Sequence, residues 1–570
     1  MHIKNYTTQL LGMISYAQRD KDLELEVLIK NVHNNKITSD MFYNVIKRLK
    51  GTSSVIYTNE EEILDIILPN ENIRVSVLGT DNIIKYCETD DIKSIDDANI
   101  VILSKNNMRK TDINEYRVRF NLKRETILTK SNKEITDIFK KWNNIDKIFR
   151  YKKRISFVAD NNYQFDLSIV KSSNKKNIKG DNTTIKKRNI KSHMKKYVVA
   201  PEYVVDFDEW FNKLKNNDDV SMTGRVRQDA IPTKTIKKSN VFNNELEYEI
   251  ELEYIGNKNK SVKKTDRVIL IEILQNLIII LQSIQKSYYI ISEIEKNEVI
   301  SKYKALIGDY KFNGPMNVTL EKKHVVERKY EDYKNIISIR KGYSVTDKAD
   351  GERNLIIIIE DKVNESNDGK MYLINRKNDV KYIGAQCPEL GNSIFDSEYI
   401  LKDKDNNNIN LLMLFDAYIF KGIDIRKRIL YRSNEEKAEG VIEESRYEYI
   451  SAAIDIFDSS LVKDTNNNLE ILKKKFYFGD DEFYSSEIEQ SLGVLEMELM
   501  SEEDGTPKFI ELKTQIDELK GDTKIFQECS KVYKKEYRYE IDGLIFTPRN
   551  LFVGEEPGKM KKNMFNGRWY

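Results

Sequence analysis

The residues best suited to covalent chemistry stand in one short stretch, YSVTDKADGERNLIIIIE (Tyr343–Glu360). Within it Lys348, Asp350, Gly351 and Arg353 form K-x-D-G-x-R at the head of a long aliphatic run. A lysine amine can attack phosphorus, a glycine lets the backbone turn tightly beside it, and a guanidinium can fork onto phosphate or ribose oxygens. An alkylammonium is inert as a nucleophile until it loses its proton, so such a site needs neighbouring cations and partial burial. The aliphatic run reads as a strand, which sets Lys348 at the rim of a pocket. In a chain whose residues are 33% charged, a solvated turn that happens to read DGER is the competing interpretation.

The segments that follow weigh against that turn. MYLINRKNDVKYIG supplies partner strands with a turn at Lys377 to Asp379. SIFDSEYIL sets Asp396 and Glu398 on one face of a strand and Phe395 and Tyr399 on the other. LLMLFDAYIFKGIDIR, which contains Phe415, is a buried run broken by Asp416 and closed by a glycine turn. YEIDGLIFTPRN puts Glu540 and Asp542 on one face, just ahead of another apolar strand. Lysine, arginine and separate acidic strand ends can converge on one nucleotide and its metal. The order and character of these segments resemble the covalent nucleotidyltransferase superfamily of DNA ligases, RNA ligases and mRNA guanylyltransferases. DGLIFTP and FDAYIFKGIDIR are most similar to mRNA capping enzymes of large DNA viruses.

That resemblance implies that Lys348 attacks the α-phosphate of GTP, forming a lysyl-GMP intermediate that passes to the 5′-diphosphate end of RNA. By matching position, Lys348, Asp350, Arg353, Glu398, Phe415 and Asp542 are the nucleotide-binding set. Arg353 would hold ribose or phosphate, Glu398 the ribose or metal, and Asp542 the metal, while Asp396 and Phe415 shape the site. Asp396-Ser397-Glu398 replaces the family's usual D-G-E. The family continues into a lysine-bearing segment and a closing domain of the oligonucleotide-binding barrel type. Here the sequence ends at FNGRWY, so the expectation is a fragment in which that domain is absent and guanylyl transfer is weakened. The nearest rival is an ATP-using RNA or DNA ligase, and a second is a non-catalytic scaffold for RNA or polyphosphate.

The first half carries a different pattern. In KDLELEVLIK, Glu24 and Glu26 alternate with Leu23, Leu25 and Val27. In NELEYEIELEYIG, Glu245, Glu247, Glu249, Glu251 and Glu253 form a row on one face. Like charges in a row repel unless cations sit against them, either hard divalent metals or basic side chains of opposite strands. Basic strands lie between the two acidic ones: Arg74 in NIRVSVLG, Arg117, Arg119, Lys123 and Arg124 in EYRVRFNLKRE, and Lys152 and Arg154 in KKRISF. Arg117 and Arg119 share a face by this spacing. Acidic strands at both ends and basic strands between predict a closed antiparallel barrel with a charged interior.

This arrangement resembles the metal-dependent tunnel RNA triphosphatases, with an E-x-E strand near the start and an E-x-E-x-E strand near the end. The resemblance implies that Glu24, Glu26 and Glu253, with Glu251 beside them, hold a divalent metal (Mg²⁺ or Mn²⁺). Glu249 and Glu251 would support it or orient water. Arg119, Lys152 and Arg154 would clamp phosphates, with Asp166 and Ser168 in the tunnel wall. Glu245 and Glu247 fall outside the family pattern and have no assigned role.

A length of 570 residues predicts two or three domains. The expected division is a triphosphatase tunnel domain over 1–260, a helical linker over 261–310 and a guanylyltransferase domain over 311–570. The fold class expected is α+β, an antiparallel barrel followed by a mixed α/β nucleotidyltransferase domain. A net charge of +2 confines any nucleic-acid contact to local basic patches. Cys87, Cys387 and Cys529 have no paired spacing, which fits a reducing compartment. VILIEILQNLIIILQSIQ is broken by polar residues and reads as a core helix, so no membrane partner is expected. The basic stretch 171–196 reads as a surface loop that can touch RNA phosphates, and a short helix is expected around Trp210 and Phe211. The implied partners are an RNA 5′ end, GTP and a cap methyltransferase in the same or a separate chain. The implied location is the cytoplasmic factory or virion of a large DNA virus.

Overall fold

Alternation of apolar and charged residues builds the first strand, β1 (Leu23–Ile29): Leu23, Leu25, Val27 and Ile29 enter a core, and Glu24, Glu26 and Leu28 take the other face. The same device continues through β2 (Val55–Leu68), β3 (Ile73–Leu78), β4 (Ile100–Ile113), β5 (Val118–Leu128), β6 (Ile148–Ala159) and β7 (Tyr163–Ser172). Beyond a short ribbon of β8 (Lys175–Asn177) and β9 (Gln228–Ala230), β10 (Glu247–Tyr254) closes a barrel. Its order is β1-β10-β7-β6-β2-β3-β4-β5, antiparallel throughout, with β5 returning to β1. Closure brings first and last strands together, with Glu26 directly opposite Glu253.

This computed structural model describes residues 4–31, 36–173, 175–177, 228–256, 264–309, 314–315, 317–325, 339–340, 342–360, 368–432, 444–465, 467–479, 486–521, 524–549, 552–553 and 568–569. Most of the basic stretch 171–196, and the helix expected around Trp210 and Phe211, lie outside the described residues. The chain forms two compact units, Met1–Glu293 and Ile294–Tyr570.

Outside the barrel, helices Thr7–Arg19, Ser39–Lys50 and Asp266–Gln285 share one core with the apolar faces of β1, β5, β7 and β10. Helix Asp266–Gln285 begins at Thr265, whose side chain accepts from the Val268 amide. By length and composition it could cross a membrane, but its Ile269, Ile273, Leu277, Ile280 and Leu281 are buried in the barrel's outer core. Arg117 departs from expectation. It does not share a strand face with Arg119 but occupies a left-handed turn ahead of β5 (φ 57°) and reaches Glu293 at 3.6 Å.

The second unit holds β11 (Asn317–Val318), β12 (Tyr343–Ala349), β13 (Glu352–Ile359), β14 (Lys370–Ile374), β15 (Val380–Gln386), β16 (Ser393–Lys402), β17 (Asn408–Phe420), β18 (Ile423–Asp424), β19 (Val462–Lys463), β20 (Glu470–Lys473), β21 (Tyr477–Phe478), β22 (Ile541–Pro548) and β23 (Arg568–Trp569). One sheet runs β11-β23-β22-β12-β21; the other runs β18-β17-β16-β13-β14-β15-β19, with β20 parallel on β17. Helix Arg446–Ser460 packs on the second sheet through Ile450, Ala453 and Phe457. Asp416, which breaks the apolar run of β17, is fully buried and accepts from Nε of the equally buried Arg446 at 2.8 Å. Removing one member of such a pair strands the other charge. Asp416→Ala is therefore expected to destabilise the second unit by about 3–5 kcal/mol in urea melts, and a loss within error of zero would contradict the pairing.

Candidate functional site

Register and burial turn one face of every barrel strand into the lumen, and that face carries charge of both signs. Glu24 and Glu26 come together with Glu125 of β5, their ligand oxygens all within 4.8 Å of one another. Lys123 donates to both oxygens of Glu26, at 2.5 and 2.7 Å, and Lys105 is ion-paired with Glu125. Glu249 accepts from Arg150 at 2.5 Å and stands opposite Ser168. Glu251 stands opposite Asp166, which accepts from Ser156 Oγ at 2.6 Å and lies 3.4 Å from Arg154. Lys152 meets Asp65 at 2.5 Å, and Arg119 forks onto Asp112 at 2.7 and 3.0 Å.

These neighbours set the protonation of the lining. Burial opposes the Asp65 carboxylate, but the Lys152 and Arg74 charges outweigh it and hold the group well below the usual carboxyl range. Burial, then the Arg74 and Lys123 charges, pull Lys105 down to about 8. Hydrogen bonds from Arg119 hold Asp112 down to about 2. Every tunnel residue expected from the sequence lies on a barrel strand, and Glu253 faces Glu26 across the closing pair. The two leftover glutamates separate: Glu247 reaches Lys36 at 3.5 Å, and Glu245 precedes the strand and is exposed. Sequence reasoning passed over Glu125, Asp65, Lys105 and Arg150. Glu125 was within reach, standing two residues beyond Lys123 on the same face.

In the second unit a cleft opens between the two sheets, with Thr346, Ile545 and Thr547 on one side and Arg353, Glu398 and Phe415 on the other. The turn at Asp350 and Gly351 carries the chain from β12 in the first sheet to β13 in the second. The Asp350 amide donates to Glu540 O at 3.0 Å. Only glycine fits at 351, because a Cβ there would lie 2.7 Å from Glu398 Cγ and 3.0 Å from Tyr399 O. Lys348 Nζ donates to Asp542 Oδ2 at 2.6 Å, so the amine and acid expected to work together are already in contact. Arg353 donates through Nε to Asp396 Oδ1 at 2.9 Å and through Nη1 to Pro315 O at 2.7 Å, with its guanidinium carbon 5.6 Å from the Phe415 ring centre. Lys474, missed in the sequence among three consecutive lysines, is buried in the cleft wall 3.6 Å from Asp347. Burial pushes the Glu398 carboxyl up to about 7, helped by Asp396 and opposed by Lys474, Arg353 and Lys348.

A stretch of 316 residues, 53% of the chain, is 26% identical to the probable mRNA-capping enzyme of Acanthamoeba polyphaga mimivirus. Over this stretch the two chains are homologous. The match covers 23% of that relative, so the chain spans under a quarter of its length. Two solved structures, of the RNA triphosphatase domain of a trifunctional mimivirus mRNA capping enzyme and of the mimivirus capping enzyme triphosphatase, match 49% of the chain and 99% and 97% of their own. Their identities are 18% and 17% and their TM-scores 0.30 and 0.29. No protein-family model matches the chain.

Glu398 generates a prediction about pH. Its folded value near 7 lies above the ordinary carboxyl value, so the folded state holds the proton more tightly than the unfolded chain. Stability of the second unit should then fall as pH rises from the ordinary carboxyl value to about 7. By calorimetry Glu398→Gln should melt higher than the parent at pH above about 7 and level with it in acid; a lower melting point in alkali would refute the assignment.

Proposed function

We propose that the chain serves mRNA 5′ cap formation: the first unit removes the γ-phosphate of triphosphate-ended RNA, and the second transfers GMP from GTP through Lys348. The observation that carries this is the closed barrel whose lumen sets Glu24, Glu26 and Glu125 against a ring of lysines and arginines. Their clustered carboxylate oxygens suit a hard divalent cation, Mg²⁺ or Mn²⁺, and Glu253 is paired in register with Glu26. When bound, such an ion polarises a phosphoryl oxygen and acidifies a bound water. Lys152, Arg154 and Arg119 hold the phosphates, and Glu249 and Glu251 orient the attacking water. Homology to a probable capping enzyme supports the same reading.

In the second unit, Lys348 Nζ forms a bond to the α-phosphorus of GTP as the bond to the bridging oxygen breaks and pyrophosphate leaves. The ammonium must first shed a proton, and Asp542 Oδ2 is the oxygen in position to take it. A terminal oxygen of the RNA diphosphate then displaces lysine, the P–N bond breaks and the amine regains its proton. Glu398 and Arg353 line the nucleotide cleft, Phe415 gives its ring as a wall, and Asp542 is the carboxylate nearest the nucleophile for a metal. The partners are an RNA 5′ end, GTP and a cap methyltransferase, in the cytoplasmic factory or virion of a large DNA virus.

Two measurements test this. Release of labelled γ-phosphate from triphosphate-ended RNA should require a divalent metal. It should fall by more than about a hundredfold in Glu24→Ala and Glu253→Ala, since even outer partners of a metal cost 10–100-fold; activity retained in both variants would reject the metal placement. Incubation with α-labelled GTP and metal should leave label on the denatured chain, and Lys348→Ala should carry none. Label from ATP in place of GTP would favour a ligase.

A further inference from the structure

Residues 415 and 418 are three apart, and on a regular strand they would face opposite sides of the sheet. On β17 they do not. Between Ile394 and Ser397 the pairing with β16 slips twice: Ile394 faces Ile419 but Phe395 faces Ala417, and Asp396 faces Asp416 but Ser397 faces Leu414. The residues passed over are Tyr418 and Phe415. An extra residue in one strand re-aims its side chain, and here both are aimed at Arg353. Phe415 lies beneath the guanidinium, 5.6 Å from ring centre to Cζ. The Tyr418 hydroxyl donates to Asp396 Oδ2, the same oxygen that accepts from Arg353 Nη2, and it lies 3.5 Å from that Nη2. Tyr418 and Asp396 are both fully buried, so no water competes for these contacts and each restrains the others.

We infer that Tyr418 is a positioning residue of the nucleotide cleft: through Asp396 it fixes the guanidinium of Arg353 above Phe415, and so sets how tightly the nucleotide is held. This rests on the reading of the cleft as a nucleotide site. Arg353 spends Nε, Nη1 and Nη2 on protein partners and its side chain is only 9% exposed. Its part is therefore to stand still and present a fixed charge to the cleft. A long side chain has many rotamers, and holding it beforehand spares the nucleotide that ordering cost.

The experiment uses the full chain with Mg²⁺ and GTP. Tyr418→Phe keeps the ring and removes one hydroxyl. Titration calorimetry, run well below the melting temperature of the variant, should show GTP bound about tenfold more weakly, the effect of one lost hydrogen bond to a charged group, with the melting temperature lowered because a buried donor to Asp396 is gone. In an Arg353→Lys background, which already binds weakly, adding Tyr418→Phe should cost nothing further, because the coupling runs through the guanidinium. Unchanged affinity in Tyr418→Phe overturns the inference, and so does an equal loss in both backgrounds, the mark of a merely structural role. Covalent labelling by GTP is scored separately. A parent chain that binds GTP but takes no label refutes the transfer reading and leaves this inference standing on binding; a parent that binds no GTP refutes both.

Discussion

Carboxylates spaced two apart on one strand can be held inside a protein only if opposite charges face them across a closed wall. Glu249, Glu251 and Glu253 would repel one another on an open sheet. Closure through the β1–β10 pair, with β5 and β6 completing the wall, sets Arg150 on Glu249, brings the Arg154 charge near Glu251, and places Lys123 on Glu26 beside Glu253. The rest of the first unit follows from that requirement. Its apolar faces must all point outward, so helices cover them, and the longest apolar helix belongs to the barrel's outer core. On the proposed reading, the same pairing would let a lumen full of charge accept a polyanion: each carboxylate–cation contact would open into a carboxylate facing a metal and a cation facing a phosphate, leaving no charge bare and desolvated.

The same criterion separates two ion pairs in the second unit. Arg446 and Asp416 have no exposed side-chain surface, whereas Lys348 and Asp542 are 27% and 52% exposed. A pair that cannot meet solvent or ligand is part of the scaffold, and its loss costs folding energy. A partly exposed pair can exchange partners, and on the proposed reading exchange is what the Lys348 amine would have to do. The Arg353–Asp396 contact lies between these extremes, buried on one side and open to the cleft on the other. That position suits a charge whose task is to stay where it is.

Much of this was legible in the residues. Period-two alternation in LELEV and EYEIELEY fixed which faces would meet, and closure followed from the sign of the charges between. Of the residues singled out in the second half, Arg353, Glu398 and Phe415 line one cleft and Lys348 contacts Asp542. What periodicity could not show were the departures from it. Arg117 sits at a left-handed residue, where strand spacing no longer says which way a side chain points. Phe415 and Tyr418 reach one guanidinium only because β17 slips register at each of them, and no run of hydrophobic residues announces where a strand will bulge. Glu125 and Asp65 were overlooked for another reason. Glu125 is the one acid of its strand and Asp65 follows a run of three glutamates in its own, so neither lies in an alternating acidic row; the importance of each comes from neighbours remote in sequence.

The spacing of the lysine motif itself has a physical cause in this geometry. Lys348 stands near the end of a strand of one sheet and Arg353 near the start of a strand of the other, so the residues between them join the two sheets. On the proposed reading, amine and guanidinium would then approach a nucleotide from different sheets. A longer connection would let the sheets drift apart. A shorter one could not cross, because two residues of extended chain reach only about 7 Å. The bend must also pass close against Glu398 and the backbone of Tyr399, which excludes any Cβ at 351. The glycine is thus demanded less by the turn it makes than by the acid it lies against, and that contact is what ties the loop after Lys348 to the strand that carries Glu398.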